Sequence, residues 1–279
     1  MGGHLPERVR NVLVTAGATR ALALAVAPLA DLLPGGRERW ERTNHRGETV
    51  TLLEGPAAAL GVAAGALLAR RLPPRLRAAS VVAALGAGAF GALDDLTGSG
   101  ADRGLRGHLI ALRTGRLTTG AVKIVGLGVT GWAASRLAGL RGGDALVSGA
   151  VVAGMANLAN LLDLRPGRTL KLVLLHAPTL LASPRAVMLV APVGAAAALL
   201  PDDLGERSML GDTGANALGA ALGLAAVVDS GRLGRLVHLV GLIAVTLASE
   251  KVSFTDLIAR TPTMRRLDEL GRRPDPSAL

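Results

Sequence analysis

Long apolar runs alternate with short polar segments along the whole chain of 279 residues. A run of about 17–25 apolar residues is long enough to cross a hydrocarbon core of about 30 Å as a helix. The sixth and seventh runs are short, and their Pro178 and Pro192 predict kinks. The pattern predicts an all-α membrane protein, a polytopic bundle of about nine transmembrane helices, over residues 11–33, 50–70, 78–96, 119–140, 144–163, 169–183, 185–201, 213–230 and 233–252.

The polar segments are too short to form a separate soluble domain, so residues 1–255 are predicted to be a single polytopic membrane domain. Residues 256–279 are predicted to be a basic cytoplasmic tail. Apolar residues recur in this tail at helical spacing among arginines, namely Met264, Leu267 and Leu270 among Arg265, Arg266 and Arg272. This arrangement favours a short amphipathic helix on an anionic membrane surface.

The distribution of basic residues predicts the orientation of the bundle. The loops before even-numbered spans and the C-terminal tail share one side, and they carry more Lys and Arg than the N-terminus and the remaining loops. The positive-inside rule therefore predicts that this side is cytoplasmic. The N-terminus is then expected on the outer side of the cell membrane, meaning the plasma or inner membrane. Residues 70–77, which are rich in Arg, favour the opposite orientation.

The net charge of +10 suggests either a nucleic-acid partner or an anionic membrane. The arginines lie in short loops between spans, which favours anionic lipid headgroups, so no nucleic-acid partner is expected. The chain has no cysteine, which excludes disulfides and thiolate metal sites. Arg20 lies within the first span and is expected to face the bundle interior.

Residues able to do chemistry concentrate on the predicted cytoplasmic side. They include Asp94-Asp95 at the end of the third span, Lys123 in the fourth, Asn157, Asn160 and Asp163 at the end of the fifth, Gly211-Asp212-Thr213-Gly214 before the eighth, and Asn44 and Arg106 in loops. The chain is rich in Arg, Ala and Gly, which indicates a GC-rich genome, and it has only three lysines and five asparagines. A GC-rich genome uses lysine and asparagine sparingly, so their presence in these segments supports a specific role for them.

Each motif also has a structural explanation. The aspartate pair could mark the membrane boundary, the asparagines could form interhelical hydrogen bonds, the Gly-Asp segment could cap a helix, and Lys123 could reach lipid headgroups. Taken together on one face, carboxylates, amide oxygens and a glycine turn at a helix N-terminus suit Mg²⁺ and phosphate. The sequence therefore favours a site for a metal ion and a phosphorylated substrate.

The order of these motifs resembles the polyprenyl-phosphate N-acetylhexosamine-1-phosphate transferase superfamily, which includes phospho-N-acetylmuramoyl-pentapeptide transferase, over about residues 35–255. The resemblance implies transfer of a sugar-1-phosphate from a UDP-sugar to a polyprenyl phosphate, with release of UMP, in cell-envelope polysaccharide synthesis. It implies Mg²⁺ held by Asp212 and Asn160. It also implies catalytic roles for Asp94, Asp95, Lys123 and Asp163, and substrate contacts from Asn157, Asn160, Gly211 and Gly214. Asn44 and Arg106, which lie in loops on the same predicted side, are also predicted to contact the substrate.

The chain also departs from the family pattern. Leu164 follows Asp163 where the family has Asp-Gly, Gly98 replaces a third aspartate, residues 250–256 lack the family's histidines, and no tenth span follows. These differences argue against the muramoyl-pentapeptide substrate. They leave open two other functions, a non-catalytic relative that binds a lipid phosphate or nucleotide sugar and a transporter of anionic solutes. Whether the protein forms a homodimer is also left open.

Overall fold

The chain folds almost entirely into helices, and the computed structural model describes residues 5–97, 118–182 and 184–274. The helices are α1 Leu5–Val26, α2 Gly36–Arg39, α3 Glu54–Leu68, α4 Pro74–Thr97, α5 Thr119–Leu137, α6 Gly142–Leu162, α7 Arg168–Leu174, α8 Ala177–Ala182, α9 Val190–Leu204, α10 Gly211–Asp229, α11 Arg232–Ser249, α12 Phe254–Arg260 and α13 Pro262–Glu269. Two 3₁₀ segments, Ala27–Leu32 and Pro184–Leu189, follow α1 and precede α9. The predicted all-α class is confirmed, with one short β-hairpin as its exception in the described part of the chain.

Five helical segments are long and apolar enough to cross a membrane, namely Pro6–Leu32, Pro74–Thr97, Gly142–Leu162, Ala186–Leu204 and Arg232–Ser249. They coincide with the first, third, fifth, seventh and ninth predicted spans. Helix α3 is apolar but has only 15 residues, and α5 and α10 are long but less apolar. Large apolar side chains lie on the outside of the bundle, where Leu13 and Val240 are each 65% exposed. An apolar outer surface is typical of helices that face lipid.

Helix α10 lies at the centre of the bundle, where it packs against α3, α4 and α6. Every residue of α10 from Thr213 to Ala225 is buried, and most are Ala, Gly or Leu. Small residues let helix backbones approach closely, which is the main way helices associate in membranes. Around this centre α1 packs on α3 and α9, and α5 packs on α4 and α6. Helix α11 lies against the outer side of α6 and buries only Leu242.

The contact of α4 with α10 depends on Gly91. A Cβ atom at this position would lie 2.3 Å from the backbone oxygen of Asp212, so a side chain requires the two helices to move apart. We expect Gly91→Ala to lower the free energy of unfolding by about 1–3 kcal/mol, the usual cost of overpacking. Thermal unfolding of the purified protein in detergent measures this change.

Gly128→Ala is the matched control for this variant. Gly128 belongs to α5, and a Cβ atom there would meet nothing within 4 Å. Equal melting temperatures for the two variants would contradict the close approach of α4 and α10.

The sixth predicted span, residues 169–183, is not a single helix. The chain forms α7 and α8, which are separated by Leu175 and His176. At a rise of 1.5 Å per residue each piece is about 10 Å long, so neither crosses a bilayer alone. Pro178 has no N–H group and lies in the first turn of α8, where proline is tolerated, so the break precedes it.

The second predicted span, residues 50–70, includes a β-strand that the sequence pattern did not reveal. Strand β1 (Glu41–Thr43) pairs in antiparallel register with β2 (Thr49–Thr51), and α3 begins only at Glu54. Val50 reads as part of an apolar run, but in the structure it is buried within the hairpin. The hairpin packs at the end of the bundle where α4 ends and α10 begins.

Arg20 of α1 forms an ion pair with Asp202 at the end of α9. The Arg20 side chain is 46% exposed, so the expectation that it faces the bundle interior is only partly met. Asp202 also accepts a hydrogen bond from Nε of Arg207 at 2.8 Å. A charge within an apolar helix is unfavourable unless it is paired, and Asp202 supplies the pairing.

Candidate functional site

The segments that carry the predicted motifs meet at one end of the bundle. Lys123 of α5 contacts Asp94 of α4 and Asp212 of α10. The backbone N–H of Gly167, which follows α6, donates to Asp203 of α9 at 2.7 Å. The opposite end of the bundle has its own contacts, including those of Arg8 with the backbone oxygen of Leu180 and of Arg235 with Asp144. We call the first end the motif end.

Lys123 is the centre of a cluster of three charged side chains, which we call the charged cluster. Its ammonium lies 3.2 Å from Oδ2 of Asp94 and also pairs with Oδ2 of Asp212. The Lys123 side chain is only 11% exposed, so these ion pairs are less screened than surface pairs. Lys123 therefore points into the bundle and does not extend to lipid headgroups. The three residues belong to α4, α5 and α10, so the cluster forms only when these helices pack.

Asp95 has a different role from its neighbour Asp94. Its carboxylate accepts hydrogen bonds from the backbone N–H groups of Asp212 at 3.0 Å and of Thr213 at 2.9 Å, and from the Thr213 hydroxyl at 2.6 Å. The first N–H groups of a helix have no partner within the helix, and a nearby carboxylate satisfies them and interacts favourably with the helix dipole. Asp95 therefore caps α10 from another helix and positions Asp212.

The segment Gly211–Gly214 begins α10, at the place where the sequence analysis predicted the start of a helix. Its own side chains do not cap the helix. Gly211 has a φ of +56°, and a Cβ atom there would lie 3.0 Å from Oδ1 of Asp95. Gly214 lies against Gly55 of α3, where a Cβ atom would be 3.0 Å from the Gly55 Cα. The two glycines thus allow the close approach of α10 to Asp95 and to α3.

Asn157, Asn160 and Asp163 are spaced i, i+3 and i+6, which would place them along one stripe of a helix, but in the structure their surroundings differ. The Asn157 amide lies 3.5 Å from Oγ1 of Thr246 in α11, at the outer limit of a hydrogen bond. Asn160 is half-buried, and Asp163 lines a cavity at the motif end. Residues at i and i+6 of a helix differ by about 120° in direction, which explains why the stripe does not face one site.

Asn44, a predicted substrate contact, is engaged within the hairpin. Its amide nitrogen donates to Glu48 at 3.1 Å and to Glu206 at 3.0 Å, and its oxygen accepts from the backbone N–H groups of Arg46 and Glu48, both at 2.9 Å. These bonds use most of the capacity of an amide side chain. Asn44 therefore holds the hairpin turn and joins it to Glu206. Arg106, the other predicted contact from a loop, lies outside the described residues.

A cavity of about 50 Å³ opens at the motif end beside the hairpin. That volume holds a few water molecules. The lining residues come from the hairpin, from α9, and from the segments that follow α6 and α9. They are Asn44, His45, Asp163, Leu164, Arg165, Pro166, Asp203, Glu206, Ser208 and Met209. Three of these residues, Asp163, Asp203 and Glu206, carry carboxyl groups.

The acidic residues Glu54, Asp203 and Glu206 were missed by the sequence analysis. All three are buried, and Ser208 donates to Oε2 of Glu54 at 2.5 Å. One signal was available, because Asp202-Asp203 ends an apolar run just as Asp94-Asp95 does. Glu54 gave no such signal, since it stood within a predicted span.

His45 lies at the edge of this cavity, 3.7 Å from Oε2 of Glu206. Burial lowers the pKa of His45 below its ordinary value, and the nearby Arg165 and Arg46 lower it further against the attraction of Glu206. The imidazole is therefore neutral at pH 7. A neutral ring can accept or donate a hydrogen bond beside Glu206.

The oxygen donors at the motif end are compatible with Mg²⁺. This ion commonly uses one or two protein carboxylates and takes its other ligands from water and substrate phosphates. Within residues 5–97, 118–182 and 184–274, no group of three or more His, Asp or Glu side chains is arranged to hold a metal. The ammonium of Lys123 between Asp94 and Asp212 shows that these carboxylates accept a positive charge.

Neither the protein-family models nor the curated proteins give a match to this chain, so its likeness to the transferases consists of the motifs and their order.

Proposed function

We propose that this protein transfers a sugar-1-phosphate from a UDP-sugar to a polyprenyl phosphate at the motif end, as a step in cell-envelope polysaccharide synthesis. The charged cluster is the observation that supports this function most directly. Asp94, Lys123 and Asp212 come from three separate motifs of the resemblance, and they are in contact. Phosphoryl transfer depends mainly on positioning and charge stabilisation, and a shielded lysine held by two carboxylates suits both.

The proposal includes nine crossings of the cell membrane, with the N-terminus outside and the motif end in the cytoplasm. Helices α7 and α8 would make the sixth crossing as a broken span, and the 3₁₀ segment Pro184–Leu189 would begin the seventh. Broken helices are tolerated in membranes where neighbouring helices satisfy the freed backbone groups. The order of the contacts supports this topology, because α7 begins at the motif end and Leu180 of α8 contacts Arg8 at the opposite end.

In the proposed reaction an oxygen of the polyprenyl phosphate attacks the β-phosphorus of the UDP-sugar. The bond between that phosphorus and the bridging oxygen breaks, so UMP leaves with the bond electrons. The attacking phosphate has a second pKa of about 6 and is mostly ionised at pH 7, so it needs little help from a general base. Bound Mg²⁺ would supply charge neutralisation at the pyrophosphate.

The residues of the chain have distinct proposed roles in this step. Lys123 would hold a phosphate oxygen, and Asp94 would fix the position of the ammonium. Asp212 would hold the metal ion together with Asn160. Asp95 would act as a positioning residue, since it holds the first turn of α10 from which Asp212 projects.

A second candidate function is binding of a lipid phosphate or nucleotide sugar without turnover. The packing of the last polar segment favours it. Thr255 lies where the family has its histidine motif, and here its hydroxyl accepts a hydrogen bond from Arg168 at 2.9 Å. The segment thus makes a structural contact and contributes no histidine.

Release of UMP tests the proposed function. We expect the purified protein to release UMP from at least one UDP-sugar in the presence of undecaprenyl phosphate and Mg²⁺, and to stop when the ion is chelated. Asp144→Asn is the control variant, because Asp144 pairs with Arg235 at the opposite end of the bundle. It should keep the wild-type rate. Absence of UMP with every donor, in protein that unfolds cooperatively, would favour the binding protein.

A further inference from the structure

The basic residues of the C-terminal segment, residues 250–274, fall into two sets. The first set faces the bundle and is paired. Nε of Arg272 donates to the backbone oxygen of Pro166 at 2.9 Å, and the Arg273 guanidinium lies 2.8 Å from Oε2 of Glu48 in the hairpin. These contacts fasten the end of the segment to the motif end.

The second set of basic residues is exposed. None of its members has a side-chain ion pair or hydrogen bond within the part of the chain that the structure describes, and they are Lys251, Arg260, Arg265 and Arg266. Unpaired exposed cations on a protein surface attract anions. These four cations outnumber the three exposed acidic residues of the segment, Glu250, Asp256 and Glu269, so the exposed surface of the segment, its outer face, has a positive charge.

The same outer face carries exposed apolar side chains. Met264 is 50% exposed, Leu267 41% and Leu270 66%. Val252 and Leu257 are each 46% exposed. A basic helix that also presents large apolar side chains is typical of segments that lie in the interface of an anionic membrane.

Helix α13 is fastened to the bundle at Asp268. Nε of Arg168 is 2.7 Å from its Oδ1. Lys171 donates to the backbone oxygens of Leu267 at 2.9 Å and Asp268 at 2.7 Å. Helix α13 is thus fixed by an ion pair and hydrogen bonds that leave the exposed basic and apolar side chains unused.

The segment also starts at the level where a membrane-spanning helix ends. Helix α11 is apolar enough to cross a membrane and ends at Ser249, and α12 begins at Phe254. The four intervening residues span at most about 14 Å. The C-terminal segment is therefore within reach of the headgroup layer.

We infer that the outer face of the C-terminal segment binds the anionic lipid surface of the bilayer in which the protein is embedded. The arginines would contact lipid phosphates while the apolar side chains enter the boundary of the acyl chains. This inference does not depend on the proposed transferase activity. It applies equally to a protein that binds its ligands without turnover.

The absence of cysteine permits a direct test. Met264→Cys provides a single labelling site for an environment-sensitive fluorophore in the full chain, reconstituted into nanodiscs. We expect the emission to shift to shorter wavelength when about a third of the phosphatidylcholine is replaced by phosphatidylglycerol, and the shift to decrease at high salt. When Arg265→Gln and Arg266→Gln are added to this variant, fewer molecules should have the C-terminal segment embedded in the membrane. The ratio of molecules with an embedded segment to molecules with a water-exposed segment should fall by about 25-fold, about fivefold for each arginine.

Arg273→Gln is the matched control, because it removes the same charge from the set paired with Glu48. It should leave the response to phosphatidylglycerol unchanged. Identical emission in neutral and anionic nanodiscs, or no effect of the two arginine substitutions, would overturn the inference. So would an equal shift caused by a soluble polyanion in neutral nanodiscs, since the partner would then not be the bilayer.

Discussion

We expect Asp212→Asn to lower the rate of UMP release by about 10²–10³-fold, which is more than the loss expected for Asp94→Asn or Asp95→Asn. Asp212 contacts Lys123, stands in the first turn of α10 and is the carboxylate that would hold Mg²⁺. The variant has nearly the shape of the wild type, and Lys123 keeps its pair with Asp94. The loss should therefore arise in the chemical step and not in the fold.

Asp94→Asn is expected to cost only about tenfold, since the Lys123 ammonium keeps its pair with Asp212 and the ionised lipid phosphate needs little help from a general base. Initial rates at saturating donor and acceptor, measured over a series of Mg²⁺ concentrations, provide the comparison. Only Asp212→Asn should also raise the Mg²⁺ concentration that gives half of the maximal rate. Equal rates for Asp94→Asn and Asp212→Asn, or the reverse order, would count against the assignment of roles.

The largest effect on stability is expected at Asp95. Asp95→Ala removes the acceptor for two backbone N–H groups and for the Thr213 hydroxyl. Unsatisfied donors in a buried place cost about 1–3 kcal/mol each, and part of this loss is recovered by water. We expect a loss of about 3 kcal/mol and a fall in melting temperature of about 10 °C.

Asp94→Ala is the matched control for Asp95→Ala, because it removes the same side chain one residue earlier in α4. Its carboxylate has Lys123 as its partner, and Lys123 retains Asp212. The expected loss is smaller than that of Asp95→Ala, because Lys123 keeps a carboxylate partner. Thermal unfolding in one detergent compares the two variants, and a drop of the same size in both would show that Asp95 does not act as the cap of α10.

Much of the fold could be predicted from the apolar runs. Helices α1, α4, α6, α9 and α11 occupy predicted spans, because long apolar runs in a chain of this kind can only be buried as helices. The break between α7 and α8 was signalled only by Pro178. The hairpin gave no alternating pattern long enough to distinguish β2 from the start of an apolar helix.

The candidate site was predicted in its members but not in its arrangement. Asp94, Lys123 and Asp212 were all singled out, and they are in contact. Asn44 and Asn157 were also singled out, but they bond to Glu206 and Thr246. Lysines and asparagines, which are rare in this chain, indicate by their positions at loop edges which end of the bundle is polar. Their rarity does not distinguish the residues that stabilise the fold from those that act in the site.

The different roles of Asp94 and Asp95 follow from helix geometry. Neighbouring residues of a helix differ by about 100° in direction. Gly88, Gly91 and Asp95 are spaced i, i+3 and i+7, so they share one face of α4, and both glycines lie against α10. This stripe of small residues was the available signal that Asp95, and not Asp94, would point at α10.

The ion pair of Arg20 with Asp202 has a consequence for biosynthesis. The two residues are 182 positions apart, and a ribosome adding about 5–20 residues per second takes roughly 10–40 s to reach the partner. During that interval α1 holds a cation that an isolated helix inserts at a cost of about 2.5–3.5 kcal/mol. Until α9 emerges, this cost must be offset by the apolar residues of the same helix or lowered by water that reaches the guanidinium.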